Sequence, residues 1–383
     1  MRQEQATPGF PPGIPAFLFV GAPHVRLEQL RMRGLRCLTD VGIALDPAIN
    51  VFVGANGAGK TSVLEAVFLL SHARSFRSGA KEALLQRGAP QLSIFAELCH
   101  ADQRVCRLGL GRDGVRWEAR VDGENVAIGQ LVRECAVVCF EPGSHALIAG
   151  AAEERRRYLD WGVFHVEHEF LTAWRRYQRA LKQRNSLLRS ASPSTDELFA
   201  PWEAELAQSA HQIDLQRRAY LDLLRPKLLS SIAGLLPELG ALDLRYRRGW
   251  SDELDLAQQL REQRGRDLAR GHTTLGVHRA DWSVTFEHAP LREHLSRGQE
   301  KLTALACMLA QAELYAEHRG EWPIVCLDDL ASELDQAHQA AVVAQLTAAH
   351  AQVLLTGTEL PASLQGLPAR VFHVEQGELA RLL

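Results

Sequence analysis

Apolar and charged positions alternate with period two from Val25 onward, first in VRLEQLRMRGL and then in VGIAL. That spacing sends successive side chains to opposite faces and predicts a small antiparallel sheet. INVFVG, from Ile49, is instead an almost unbroken apolar run that stops at a glycine loop, the form of a buried strand. Helical spacing follows from Lys60 through Leu70. QLSIFAEL, RVCRLGL and VRWEARV return to strand texture, the last two joined by the hairpin signal GRDG, and CAVVCF closes this half.

From Ala151 to about Leu236 the texture changes. EERRRYLDWGVFHVEHEFLTAWRRYQRALKQRNSLL and WEAELAQSAHQIDLQRRAYLDLLRPKLLSSI are long and amphipathic, joined by the breaker SASPSTDELFAP. LDLRYRRG and WSVTFEH read as strands again. A helix over 296–317, the strand PIVCL, the helix DQAHQAAVVAQLTAAH and the strand QVLLT then alternate as in a parallel sheet. Neither half of the chain supplies a full sheet, so the two must meet. The expected fold is α/β: a head built from 25–150 and 240–383, with an antiparallel β-subdomain, interrupted by a helical lobe over 151–239. Residues 1–24, rich in Pro and Gly at their start, are expected to be a disordered extension. There is no internal repeat.

Composition narrows this picture only a little. With 383 residues, 46% hydrophobic and 23% charged, the chain is in the ordinary globular range. A net charge of -3 argues neither for nor against nucleic acid, because a basic face can be offset elsewhere. The seven cysteines are odd in number and contain no CxxC pair, so they read as reduced core thiols of a cytosolic protein. Cys135 and Cys139 sit in a strand-like run, which disfavours a metal site there. No apolar run is long and charge-free enough to span a bilayer. IPAFLFVGA lacks the basic flank of a signal peptide, Arg2 having Glu4 beside it.

The chemistry begins at GANGAGKTS, comprising Gly54, Ala55, Asn56, Gly57, Ala58, Gly59, Lys60, Thr61 and Ser62. It matches G-x-x-x-x-G-K-[ST] with a strand before it and a helix after it. The glycines allow successive N–H groups to turn inward around a phosphate, Lys60 reaches the β/γ oxygens, and Thr61 ligates Mg²⁺. An isolated match would arise by chance in on the order of 1 in 100 chains of this length. A second element supports it: PIVCLDD is an apolar strand ending in Asp328 and Asp329. Asp328 would bind the metal through its water shell, and Asp329 would orient or deprotonate the attacking water. ATP is the expected nucleotide, since no guanine-reading N-K-x-D motif is present.

LSRGQEKLTALACMLAQAELY places a hydroxyl and a glycine at a second helix start. Ser296 is a plausible N-cap, and the free amides behind it make an anion site. That site could cover the γ-phosphate within one chain, or between two chains related by a two-fold axis. LSRGQ is similar to the signature motif of ATP-binding-cassette ATPases, and ASELD, at Ala331 to Asp335, to their D-loop. The resemblance implies that Ser296, Arg297, Gly298, Gln299 and Asp335 contact the nucleotide of a partner protomer. ATP would then hold a dimer together and hydrolysis would release it.

Transporter ATPases carry the signature soon after the P-loop, and chromosome-maintenance ATPases insert a very long coiled coil. The arm here is intermediate. The chain resembles the RecF family of bacterial recombination and gap-repair ATPases, through VRLEQLRMRGLRCLTDV, GANGAGKTSVLEAV, SFRSGAKEALLQRG, EERRRYLDW, YQRALKQRNSLL, GVHRADW, LSRGQEKLTALACMLAQAEL and PIVCLDDLASELD. Val277 and Ala280 depart from the family's usual Pro and second acid, while His278, Arg279 and Asp281 match. Thr356 stands where transporter ATPases carry a γ-phosphate-sensing His, and is a candidate to hydrogen-bond the phosphate or water. The resemblance implies an ABC-type P-loop ATPase head and ATP-dependent dimerisation on DNA in the cytoplasm. It also implies weak DNA-stimulated hydrolysis, a preference for duplex or single-strand/double-strand junctions, and cooperation with RecR and RecO to load RecA.

For DNA the residues themselves offer Arg155, Arg156 and Arg157, then Arg175, Arg176, Arg179, Lys182, Arg184 and Arg189 beside Trp174 and Tyr177. They could meet phosphates non-specifically, or form ion pairs with Glu153, Glu154, Asp160, Glu167 and Glu169 on a solvated face. The residues alone leave both open. The resemblance favours Arg155, Arg156, Arg175, Arg176, Lys182 and Arg184 as DNA contacts. Arg74, Arg77 and Lys81 are further candidates for DNA or nucleotide. No base-reading motif is present, so binding should follow charge and fall steeply with salt. The alternatives are an ATPase subunit energising a membrane transporter, and a small-molecule kinase using the P-loop alone.

Overall fold

The computed structural model describes residues 24–77, 84–113, 116–190 and 195–382. The alternating N-terminal segments form β1 (Arg26–Leu35) and β2 (Leu38–Ala44), followed by the buried β3 (Ile49–Val53) and the helix α1 (Lys60–His72). Next come β4 (Gln91–Cys99), β5 (Val105–Asp113), β6 (Arg116–Val121), β7 (Glu124–Val126), α2 (Ile128–Glu134) and β8 (Val137–Phe140). The first sheet is antiparallel, in the order β2-β1-β4-β5-β6-β7. The expected β5–β6 hairpin is present in register Asp113↔Arg116, its turn at 114–115 lying outside the described residues.

A short α3 (Ala146–Ala149) leads to α4 (Ala152–Val166), α5 (Phe170–Leu188) and the 40-residue α6 (Asp196–Leu235). The chain continues through β9 (Leu242–Arg247), α7 (Leu256–Arg270), β10 (Asp281–Phe286) and α8 (Arg297–Arg319). It ends with β11 (Ile324–Leu327), α9 (Leu330–Glu333), α10 (Gln336–Ala348), β12 (Val353–Gly357), β13 (Arg370–Glu375) and β14 (Glu378–Arg381). The second six-stranded sheet runs β14-β13-β3-β12-β11-β8 and is parallel except for β14. It joins β3 and β8 from the first half to β11–β14 from the second, so the two halves do meet.

Both faces of this parallel sheet are covered, which is why its strands read as unbroken apolar runs rather than alternating ones. Ile324 and Cys326 of β11 join the core shared with α1 and the antiparallel sheet. Val325 and Leu327 join the core shared with α4, α5, α6 and α8. Helix α1 is apolar almost all round because it lies between the two sheets.

The structure differs from the sequence-based expectation in four places. LAQQLREQRGRDLAR forms α7, which the texture of the segment did not suggest. Among the described residues, strands β9 and β10 pair only with each other, and α7 is tied to α5 and α6 by buried ion pairs, so the helical lobe continues past residue 239 instead of stopping there. DELFAP belongs to α6 rather than to the breaker, with Pro201 tolerated in its second turn. Of the expected disordered extension, residues 1–23 lie outside the described residues, whereas His24 pairs with Trp322.

Candidate nucleotide site and basic face

The loop between β3 and α1 takes backbone angles open to glycine: φ is 157° at Gly54, 81° at Gly57 and 117° at Gly59. Close approach adds a second requirement at two of these. A Cβ on Gly54 would lie 2.2 Å from the Val374 carbonyl oxygen, and one on Gly59 would lie 2.8 Å from Cys37 Sγ. Ala55, Asn56 and Gly57 form the exposed rim, while Ala58 and Ser62 are buried. Lys60 opens α1, where the helix dipole favours an anion. Its Nζ donates to the carbonyls of Gly54 (2.8 Å) and Ala55 (2.9 Å), curled across the mouth of the loop.

Strand β11 lies between β8 and β12 and delivers Asp328 and Asp329 at its C-terminal end. The Thr61 hydroxyl donates to Asp328 Oδ1 at 2.9 Å, and the Thr356 hydroxyl donates to the same oxygen at 2.7 Å. The Asp329 N–H in turn donates to Thr356 Oγ1 at 2.8 Å. Thr356 is buried and its hydroxyl is already engaged on both sides. It therefore links the two acidic residues, at the position where transporter ATPases carry their γ-phosphate-sensing His. Burial raises the Asp328 carboxyl above its usual range, against the hydrogen bonds from Thr356 and Thr61. Asp329 holds a left-handed conformation, φ 53°, tolerable for Asp but sparsely populated, of the kind that gathers at functional sites. The hydroxyl and carboxylate oxygens of Thr61 and Asp328 fit a hard octahedral cation such as Mg²⁺.

One residue at this edge was missed in the sequence. Glu141 directly follows β8, whose Phe140 pairs with Leu327 just before Asp328. Burial raises its carboxyl pKa, against the Gly143 N–H that donates to it. The available signal was an apolar strand ending in an acid, the same form as PIVCLDD.

Ser296 does cap α8. Its hydroxyl accepts from the Gln299 N–H (3.3 Å) and the Gln299 side chain accepts from the Ser296 N–H (3.0 Å), a complete capping box. The first-turn amides that the box does not use are those of Arg297 and Gly298, at an exposed helix end. Gln299 also donates to Glu238 (3.3 Å), and Lys301 pairs with Glu333 (2.7 Å), linking this helix to α9. Asp335 caps α10 through the His338 N–H (3.0 Å), and its side chain remains 63% exposed.

The basic residues of the lobe divide sharply. Arg184, expected at DNA, is wholly buried: it pairs with Glu203 (3.1 Å) and Asp267 (2.7 Å) and donates to Thr273 and the Leu260 carbonyl. Arg155 is 3% exposed and forks onto Asp281 at 2.7 and 3.1 Å. Arg156 donates to the Ala280 carbonyl (2.8 Å). Arg184 and Arg155 are corrected from DNA contacts to internal ties, while Arg156 is only partly buried. Arg176 is held by Glu205 (2.6 Å), whereas Arg175, Arg179 and Lys182 are exposed at helical spacing along α5. GVHRAD is likewise an internal latch: Arg217 donates to the Val277 carbonyl, and Tyr177 Oη lies 2.6 Å from His278 Nδ1. Lys81 lies outside the described residues. Arg77 is exposed, and its positive charge favours the ionised form of the Asp328 carboxylate.

Residues 26–376 match the family model of the RecF/RecN/SMC N-terminal domain. A DNA replication and repair protein RecF of Stenotrophomonas maltophilia (strain R551-3) is 48% identical over 364 residues, covering 93% of this chain and 99% of the relative. The chain belongs to the RecF family. Another RecF, from Azotobacter vinelandii, is 39% identical over 363 residues, covering 93% of this chain and 98% of the relative. The fold is similar to that of a recombination mediator protein RecF-ATP structure, with TM-score 0.86 at 23% identity, covering 95% of this chain and 100% of that one. A Smc head domain from Pyrococcus furiosus aligns at TM-score 0.53 and 15% identity, covering 94% and 96%. The RecF fold is thus an ATPase head of the SMC kind, and a RecF reading displaces both the transporter-subunit and the kinase alternatives. No described helix is long and apolar enough to cross a membrane.

Proposed function

We propose that this RecF-family chain is an ATP-gated DNA-binding dimer that acts in recombination and gap repair. The observation that carries the reading is a pair of half-sites. Lys60, Thr61, Asp328 and Asp329 converge at the end of the parallel sheet, and a capped helix start bearing Ser296 and Gly298 stands exposed elsewhere on the same chain. Each would cover the phosphates bound to the other protomer, with Arg297, Gln299 and Asp335 at the same seam. The named RecF relatives support a role in DNA replication and repair, and the RecFOR pathway of the solved relative supports RecR and RecO as partners, with RecA loading the further step that the family resemblance implies.

In this mechanism the P-loop amides and Lys60 bind the triphosphate, and Thr61 with Asp328 would hold Mg²⁺. The metal, when bound, screens the negative charge that develops on the phosphate oxygens. Asp329 orients the attacking water and receives its proton as the terminal anhydride bond breaks, leaving ADP and phosphate. Loss of the terminal phosphate removes what the partner's Ser296 and Gly298 grip, so hydrolysis releases the dimer from DNA. The exposed stripe of Arg175, Arg179 and Lys182 supplies non-specific phosphate contacts to duplex DNA and single-strand/double-strand junctions.

Sedimentation with and without ATP and Mg²⁺ tests the shared site. Association should require nucleotide and disappear in both Lys60→Ala and Ser296→Arg. Specific ATPase activity should rise with protein concentration; activity independent of concentration would refute shared sites.

A further inference from the structure

At the opposite end of β11 from Asp328 lies a cluster that nucleotide chemistry does not use. His100 follows β4, Cys106 sits in β5 and Glu134 ends α2. One donor atom from each (imidazole nitrogen, thiol sulfur, carboxylate oxygen) falls within 4.8 Å of the other two. His100 is 6% exposed and Cys106 is fully buried.

The imidazole is oriented from behind. Its Nδ1 lies 3.0 Å from Glu321 Oε1, and the other oxygen of Glu321 accepts the Ala101 N–H at 3.0 Å. A carboxylate in that place holds the proton on Nδ1 and leaves the Nε2 lone pair free, the arrangement that fixes metal-bound histidines. His100 Nε2 is sealed from solvent and has no hydrogen-bond partner among the described residues; the nearest Glu134 oxygen is 3.7 Å away. A cluster built only for hydrogen bonding would not leave it so.

We propose that His100, Cys106 and Glu134 bind a thiophilic divalent cation of the zinc(II) class, with Glu321 as the positioning residue. Tetrahedral ligands at about 2.0–2.3 Å from a metal stand roughly 3.3–3.8 Å apart, so small side-chain movements close the site. The thiol gives up its proton to solvent as the sulfur–metal bond forms. Thiolate and Glu134 carboxylate then balance the two positive charges. Burial, reinforced by Glu134 and Asp122, pushes the free Cys106 thiol up to about 11, and a cation would reverse that preference. Arg104, half exposed and 2.8 Å from Glu134, can swing toward solvent, leaving the fourth position to water. Mg²⁺ supplied with ATP would not compete for a sulfur ligand. The site would tie β4, β5 and α2 of the antiparallel sheet to the segment entering β11.

The test uses the full chain, stripped with chelator and titrated with Co²⁺. One equivalent should give a thiolate-to-cobalt charge-transfer band and four-coordinate d–d bands, with Zn²⁺ displacing it and a proton released. Cys106→Ser should abolish the charge-transfer band, Cys99→Ser should keep it, and Glu321→Gln should weaken binding by about 10–100-fold. Absence of the band in the unaltered chain, or its survival in Cys106→Ser, would overturn the site. Should Cys106→Ser not fold, Glu134→Gln decides: affinity unchanged in that variant would overturn it equally.

Discussion

The C-terminal edge of the parallel sheet and the interior of the helical lobe hold the same kinds of charged side chains and put them to opposite uses. At the sheet edge, Asp328 and Asp329 end a strand whose neighbours are apolar on both faces; two hydroxyls donate to the Asp328 carboxylate, and the Asp329 amide donates to one of them. Their charge stays available to a ligand. In the lobe, Arg184, Arg264, Glu203 and Asp267 neutralise one another away from solvent. Charge there fixes how α5, α6 and α7 pack. Function therefore tracks which partners a charge already has, more than how many charges a segment carries.

The widest gap should open between two residues of one helix, two positions apart. Arg184→Ala leaves Glu203 and Asp267 buried without a full counter-charge and should cost about 3–5 kcal/mol of stability, read by denaturant unfolding. Lys182→Ala should leave stability unchanged within about 0.5 kcal/mol. Equal losses would erase the distinction drawn between the two faces of α5.

A second test probes the lobe interior with pH. His165 is buried among Trp161, Phe164 and Tyr315, and burial, helped by Arg319 and Arg133, lowers its pKa to about 3. The unfolded chain binds a proton there near pH 6.5 while the folded chain does not, so this contribution is complete above that pH and is lost as pH falls toward 3. Between pH 6.5 and 5 the loss should be about 2 kcal/mol. His165→Phe should flatten the slope over that window; an unaltered slope would show that another group controls it.

At the sheet edge the effect should be on turnover. Thr356→Val removes the hydroxyl that joins Asp328 to the Asp329 amide and should lower ATPase kcat on the order of 10-fold, with nucleotide affinity nearly kept. An affinity loss larger than the kcat loss would mean that Thr356 meets the nucleotide after all. The smallest effect belongs to the exposed stripe. Lys182→Ala should weaken duplex binding only a few-fold, and the slope of log affinity against log salt should become shallower by about 0.9. A slope left unchanged would remove Lys182 from the DNA face.

Much of the fold could be read before the structure. GANGAGKTS, PIVCLDD and LSRGQ each fall within a few consecutive residues, and the strand or helix around them is declared by the same local pattern. The buried arginines were legible in part. Arg184 shares the inward stripe of Ala173, Tyr177, Ala180 and Leu188, so its phase on the helix already argued against solvent. Its partners Glu203 and Asp267 are far away in sequence, however, and no local pattern names them. The α7 helix was overlooked because its charged residues mask its few apolar ones, Leu256 and Leu260 being its only fully buried leucines.

By itself the sequence determined a P-loop, an acidic strand end, a capped second helix and the family that unites them, because these depend on neighbours along the chain. Only the tertiary structure decided that Thr356 serves the acidic pair, that GVHRAD latches the lobe, and which arginines are free. Those outcomes depend on desolvation and on partners brought together from distant segments, and an arginine has the same letters whether it faces water or a buried carboxylate.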